Sequence, residues 1–412
     1  MSTPHIAIVG AGQAAVQAAE ALRSSGYEGA ITLLGDEPHG PYHRPPLSKA
    51  WLAGEIEAAQ LVMRAPEMLA RKGITLRTGV RVEAIDRGAC ALALSDGSTL
   101  SYTGLVLATG ATPRRLPLPG GEAPNVLALR NRDDASGIVA QMARCIEQSL
   151  PLVVIGGGFI GLEVAATARK KGLAVTVLEA APRLLGRVLA PMLSDWYAEL
   201  HRGHGVQVVL GAQIAAIETG ADGLATGVRM QGGQVHPAGL VVLGVGVAAN
   251  DSLAQAAGLA CDRGIVVDAC GRTADPHIVA AGDCTARRLA DGSLLRLESV
   301  QNATEQGKSA AAALLGQERP FTATPWFWSD QYDRKLQMAG LSTGADAWAL
   351  RGSLQAVPFS IYHFRAGQLV AVDSVNAPKD HLQARKLLDA GVSPRPEQVM
   401  DPAFDLGSLL TP

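Results

Sequence analysis

A chain of 412 residues exceeds what one hydrophobic core supports, roughly 250–300 residues, so two or three domains are expected. Its 48% hydrophobic and 18% charged residues and net charge of -2 exclude a disordered, collagen-like or broadly nucleic-acid-binding protein. The five cysteines, Cys90, Cys145, Cys261, Cys270 and Cys284, form no C-x-x-C pair and no zinc spacing, which argues against a disulfide framework, a dithiol centre or a metal site.

From Met1 the chain reaches an apolar strand and Gly10 too soon for a secretory h-region or a membrane span, so a cytoplasmic protein without a membrane anchor is expected. Residues 6–10 (IAIVG) read as a short buried strand, 10–15 as a Gly-rich turn and 14–24 as an Ala-rich helix. A second strand, 31–35 (ITLLG), is closed by Asp36 and Glu37. A dinucleotide site needs one Gly for the tight turn, a second for close backbone approach to the pyrophosphate, and a small third residue for helix–strand packing. Gly10, Gly12 and Ala15 meet that need, and Asp36 or Glu37 is placed to accept ribose hydroxyls.

The run 42–49 (YHRPPLSK) follows, then a buried-strand return at 105–110 (LVLATG), then a Pro and Gly cluster at 113–124 that reads as a linker. The first template then repeats: strand 152–156 (LVVIG), turn 156–161, a helix to about Lys171, strand 174–178 (AVTVL) and Glu179. Gly156, Gly158 and Gly161 complete its fingerprint. Glu179 would bond a free 2'-hydroxyl and repel a 2'-phosphate, which favours NADH over NADPH, with Arg183 and Arg187 nearby as opposing signals. Alternating β and α elements of this kind build a parallel sheet, to which 240–246 (LVVLGVG) is a further return. After a second linker at 317–325, residues 326–373 mix aromatic and β-branched residues with turn signals, and a helix over 380–388 follows, as in an antiparallel α+β domain.

Added to the two fingerprints, the runs YHRPPLSK and WFWSDQY (326–332) make the whole chain resemble the FAD-dependent ferredoxin reductases. More narrowly, it resembles the putidaredoxin reductase-like NADH:ferredoxin reductases of bacterial cytochrome monooxygenase and ring-hydroxylating dioxygenase systems. That resemblance implies an α/β, glutathione-reductase-like fold, with two Rossmann-type dinucleotide-binding domains plus a C-terminal α+β domain. The implied boundaries are 1–113 with 247–322 for FAD, 114–246 for NAD, and 323–412 for the C-terminal domain.

Besides Gly10, Gly12, Ala15, Asp36 and Glu37, the resemblance implies FAD contacts from Arg44, Pro45, Lys49, Val82, Thr109, Arg114, Asp283, Val300 and Trp328. For NAD it implies Gly156, Gly158, Ile160, Gly161, Glu163, Glu179, Arg187, Gly244, Val245, Gly246 and Glu298, with Gln301 near the flavin and nicotinamide. Lys49 and Glu163 are the implied catalytic pair beneath the flavin, where a cation stabilises negative charge on the reduced ring. The implied reaction passes a hydride from NADH to FAD and then single electrons to a two-iron two-sulfur ferredoxin. The basic pairs Arg287–Arg288, Arg334–Lys335 and Arg385–Lys386 would steer such an acidic partner.

A disulfide- or peroxide-reducing enzyme on the same fold would need a cysteine near the flavin, and that segment carries Ser48 instead. A rubredoxin reductase and an apoptosis-inducing-factor-like, NADH-responsive flavoprotein are the alternative readings.

Overall fold

The computed structural model describes residues 4–410 in two compact units, each discontinuous in sequence. The first runs up to His43 and adds Ala58–Thr112 and Val247–Ala323. The second takes Arg44–Glu57, Pro113–Gly246 and the residues from Thr324 onward. The short segment Arg44–Glu57 therefore packs with the stretches expected to hold NAD and to form the C-terminal domain.

In the first unit a parallel five-stranded sheet has the order Ile278–Ala280, Gly104–Leu107, His5–Val9, Ala30–Leu34, Ile74–Arg77. The central strand is set in register by Ile6 opposite Ile31 on one side and Gly104 on the other. Both faces of this sheet are covered, one by the helices Gln13–Ser24 and Val300–Leu314 and the other chiefly by the antiparallel strands Val82–Asp86 and Ala91–Leu94, which is why IAIVG and LVLATG read as unbroken apolar runs rather than as an alternation. The helices Gln13–Ser24 and Val300–Leu314 pack against each other through Ala14, Ala15, Ala18, Ala303, Ala310 and Ala311, small residues that let two backbones approach.

The second unit repeats the plan, with the order Gln207–Leu210, Val175–Glu179, Leu152–Ile155, Leu240–Leu243, Val126–Ala128, all parallel. Each unit also carries a three-stranded antiparallel ribbon, Val82–Asp86 with Ala91–Leu94 and Thr99–Ser101 in the first, and Ile214–Thr219 with Ala225–Met230 and Val235–Pro237 in the second. The duplication expected from the two fingerprints thus reaches the whole sheet.

The rest of the second unit is a five-stranded antiparallel sheet, ordered Trp326–Gln331, Arg334–Gly340, Gln368–Val375, Ala356–Arg365, Ala347–Ser353. The helix Pro378–Asp389 lies on it, starting two residues before the expected 380 because Pro378 is well suited to a first helical position. Among the described residues no helix is long and apolar enough to cross a membrane.

One buried amide secures the second parallel sheet. Asn125 is 0% exposed; its Nδ2 donates to the carbonyls of Ala225 (2.9 Å) and Gly239 (2.7 Å), and its Oδ1 accepts from the Ala225 N–H (2.7 Å). Asn125→Leu strips the Ala225 N–H and carbonyl of their side-chain partner in the interior, while the Gly239 carbonyl keeps Arg144 as a donor, and is expected to cost roughly 2–4 kcal/mol. Urea unfolding followed by the far-ultraviolet signal measures this, and an unchanged midpoint would remove Asn125 from the set of structural anchors.

Candidate functional site

The first Gly-rich turn joins the strand His5–Val9 to the helix Gln13–Ser24. Gly10 has φ +119°, and a Cβ there would lie 2.2 Å from the Ala108 carbonyl oxygen, so no other residue fits this turn. Gly12 caps the helix without any side-chain hydrogen bond, and the space a Cβ would take is open. The first helical N–H groups are thereby left for an anion. Ala15 is fully buried. Past the second strand, Asp36 is exposed, 3.7 Å from Arg81 Nη2, whereas Glu37 accepts a 2.5 Å hydrogen bond from the buried Tyr42 hydroxyl.

Other expected residues of this unit occupy strand ends. Val82 is buried at the start of its strand, and Thr109 Oγ1 donates to the Asn250 carbonyl at 2.6 Å. Asp283 follows Gly282 in a turn that Gln306 pins: Gln306 Oε1 accepts from the Gly282 N–H (2.8 Å), Thr285 Oγ1 (3.0 Å) and Asn302 Nδ2 (3.2 Å). Sequence reasoning missed Gln306; the available signal was two amides, Asn302 and Gln306, four apart in an Ala-rich helix. Val300 opens that helix behind the Ser299 cap, Gln301 is buried, and Glu298 pairs with Arg296 at 3.0 Å.

The second turn has the same construction. Gly156 has φ +105°, and a Cβ there would lie 2.4 Å from the Gly244 carbonyl oxygen. Gly158 caps the helix Phe159–Lys170, again without a side-chain bond, and Gly161 packs its helix turn onto Gly156. Ile160 is exposed in the first turn of that helix. Past Val245, Gly246 accepts from the Arg114 N–H at 2.9 Å and has the exposed Arg187 guanidinium beside it.

Glu179 is held by the turn it serves. Its Oε2 accepts from the Gly157 N–H at 2.6 Å and its Oε1 from the Ala181 N–H at 2.7 Å. Each oxygen keeps a lone pair for a ribose hydroxyl. Arg183 is committed to its own loop, with Nη2 3.2 Å from the Gly186 carbonyl and Nη1 3.4 Å from that of Leu189.

A buried polar cluster lies within the second unit, around Glu163 on the helix Phe159–Lys170. This carboxylate is 3% exposed. Lys49 Nζ stands 2.7 Å from Oε2, Ser48 Oγ donates to Oε2 at 2.5 Å, and Ser329 Oγ donates to Oε1 at 2.6 Å. Ser48 and Lys49 come from the one-turn helix Pro45–Ser48 and the residue after it, fixed further by Thr167 Oγ1 donating to the Ser48 carbonyl at 3.2 Å. The preceding Arg44 donates to the Arg130 carbonyl at 3.0 Å. Ser329 reaches Glu163 because strand alternation meets helical spacing: Phe327 packs on Phe159 at 4.8 Å, and two residues later Ser329 meets Glu163, four residues on. Trp328 falls on the opposite face beside Trp326, their rings 5.5 Å apart. Ser48 and Ser329 were not read as site residues, because a lone serine carries no spacing signal.

Of the basic pairs, Arg287 is engaged by the Phe321 carbonyl and ring, Arg334 by Asp333, and Arg385 by the face of Trp326. Their second members, Arg288, Lys335 and Lys386, are exposed.

Residues 4–307 match the family model described as pyridine nucleotide-disulphide oxidoreductase, and 326–410 match the one described as reductase C-terminal. The chain belongs to the pyridine nucleotide-disulphide oxidoreductase family. Rhodocoxin reductase from Rhodococcus erythropolis is 47% identical over 97% of this chain and 93% of its own. Putidaredoxin reductase CamA from Pseudomonas putida is 43% identical, covering 98% and 96%. The crystal structure of the covalent putidaredoxin reductase–putidaredoxin complex superposes with a TM-score of 0.94 at 42% identity over 99% of this chain and 98% of that one.

FAD and NAD(H), the cofactors of this oxidoreductase family, fit what the two turns present. Each turn offers a glycine-lined approach and a helix start capped by no side chain, and one of them adds a carboxylate fixed by backbone amides.

Behind Ser329 the cluster continues to His201, 0% exposed, whose protonation burial drives down to about 4. The unfolded chain, with an ordinary histidine near 6.5, therefore takes up a proton the folded protein refuses. Stability contributed by neutral His201 is complete above pH 6.5 and is lost as pH falls toward about 4, by at most roughly 1.4 kcal/mol per pH unit. His201→Gln is expected to flatten the pH dependence of the unfolding free energy in that window by one proton; parallel slopes would contradict it.

Proposed function

We infer that the chain is an FAD-dependent NADH:ferredoxin reductase, whose two-iron two-sulfur ferredoxin feeds a cytochrome monooxygenase or a ring-hydroxylating dioxygenase. The observation that carries this is the Ser48–Lys49–Glu163 junction, which fixes a positive charge in a segment that holds no cysteine, the residue a disulfide-reducing relative would need near its flavin. The likeness to putidaredoxin reductase, solved in covalent union with its putidaredoxin, supports an iron–sulfur acceptor. We read it as a cytoplasmic enzyme.

When bound, FAD would supply the conversion of one two-electron step into two one-electron steps. Residues 1–113 with 247–322 are read as its domain, with Gly10, Gly12 and the helix start at Gln13 on the pyrophosphate, Asp36 or Glu37 on the ribose, and Asp283 on the ribitol. Val82, Thr109, Val300 and Trp328 would line the rings, with Arg44, Pro45 and Arg114 as further contacts. Lys49 would present its ammonium to the flavin, held there by Glu163. Residues 114–246 are read as the NAD domain and 323–412 as the C-terminal domain. Gly156, Gly158 and Gly161 would cradle the second pyrophosphate, and Glu179 would accept the ribose hydroxyls and oppose a 2'-phosphate.

Glu179→Ala is expected to raise KM for NADH about tenfold with a smaller change in kcat, and to narrow the NADH-over-NADPH preference by a similar factor. Steady-state kinetics with both dinucleotides checks it, and an unaltered preference would take the specificity role away from Glu179. The overall reading is tested by NADH-driven cytochrome c reduction with a panel of ferredoxins and rubredoxins. Efficient turnover is expected with a ferredoxin; a flavin that NADH reduces but that every ferredoxin leaves reduced would overturn the assignment.

A further inference from the structure

A carboxylate accepts hydrogen bonds and donates none, and from Glu163 that fact propagates outward through the second unit. Ser329 Oγ, 2.6 Å from Glu163 Oε1, must give its proton to it. Its lone pairs then face Gln331, whose Nε2 donates at 3.2 Å. That orientation turns the Gln331 amide oxygen toward His201 Nε2, 2.9 Å away, which must carry the ring proton. Nδ1 is left bare and accepts from the Tyr332 hydroxyl at 3.2 Å. Burial keeps His201 neutral near pH 7 and pushes the Tyr332 phenol up, so neither link is broken by titration.

Every bond in this series points the same way. Ser329, Gln331 and His201 are at most 1% exposed, and only the outer end, Tyr332, stacked on the His204 ring at 3.7 Å, reaches the surface. Aligned hydrogen bonds polarise one another, and head-to-tail dipoles add as they do along a helix. The strand Trp326–Gln331 places Ser329 and Gln331 on one face by its two-residue period, and the helix Pro191–Gly203 supplies His201.

We propose that Tyr332, His201, Gln331 and Ser329 are positioning residues, forming one aligned donor chain whose positive end meets the Lys49–Glu163 pair and favours the reduced flavin. This rests on the reading that Lys49 faces the flavin. Deleting a link removes a positive dipole end from Glu163 and leaves the carboxylate to draw more fully on the charge of Lys49. Both effects disfavour the reduced, anionic ring.

The test is the FAD midpoint potential of the holoenzyme, measured against a reference dye. Gln331→Leu and Ser329→Ala are each expected to lower the ratio of reduced to oxidised flavin about tenfold at a given potential, a shift of about 30 mV to more negative values for a two-electron couple. Tyr332→Phe, which deletes only a hydroxyl at the half-exposed end, should shift it the same way by less. In wild-type holoenzyme, 15N spectra should find the His201 proton on Nε2. In a Lys49→Met background the effect of Gln331→Leu should shrink. Wild-type potentials in the folded Gln331→Leu and Tyr332→Phe holoenzymes, or a His201 proton on Nδ1, would overturn the donor chain while Lys49→Met still shifts the potential. An unchanged potential in Lys49→Met would instead remove the reading of Lys49 on which it rests.

Discussion

A carboxylate taken out of water is costly unless every oxygen finds a donor, and Glu163 imposes that demand on three separate parts of the chain. Its helix supplies the acid, the segment Arg44–Glu57 supplies Ser48 and Lys49, and the strand Trp326–Gln331 supplies Ser329. Removing one partner would leave a buried charge short of a donor, so the three must be held in one arrangement. This explains why Arg44–Glu57 packs with the second unit although its sequence neighbours on both sides belong to the first. It also fixes where Lys49 carries its charge, which is the property the proposed reaction uses.

The two Gly-rich turns are one device used twice. In each, the first glycine lies against a carbonyl from the residue after a neighbouring strand, Ala108 in one and Gly244 in the other, so sheet and turn are mutually fitted. They differ in the acid that follows. Glu179 is locked to the backbone of its own turn, whereas Glu37 is held by Tyr42 and Asp36 lies exposed. A carboxylate locked in place discriminates by charge at a fixed point, which is what telling a 2'-hydroxyl from a 2'-phosphate requires.

Local pattern made much of this legible. The apolar runs at 6–10 and 152–156 mark the central strands, the glycine spacing marks the turns, and Glu179 stands one second-strand length away. The pairing of Lys49 with Glu163 came from the resemblance carried by YHRPPLSK and WFWSDQY, since no periodicity links residues that far apart. Ser48, Ser329, Gln331, His201 and Gln306 escaped notice for a physical reason. A single buried polar residue acquires meaning only from its partner, and these partners are set by tertiary packing rather than by sequence spacing. In the sequence Ser48 is informative only as the cysteine it is not.

The central claim is that the Glu163 junction exists to deliver the charge of Lys49 to the flavin. Anaerobic stopped-flow mixing of the Lys49→Met holoenzyme with NADH tests it most directly, by following flavin absorbance through a single reduction. The account predicts bleaching slowed by about tenfold or more, with the half-saturating NADH concentration nearly unchanged. Bleaching at the wild-type rate would contradict it.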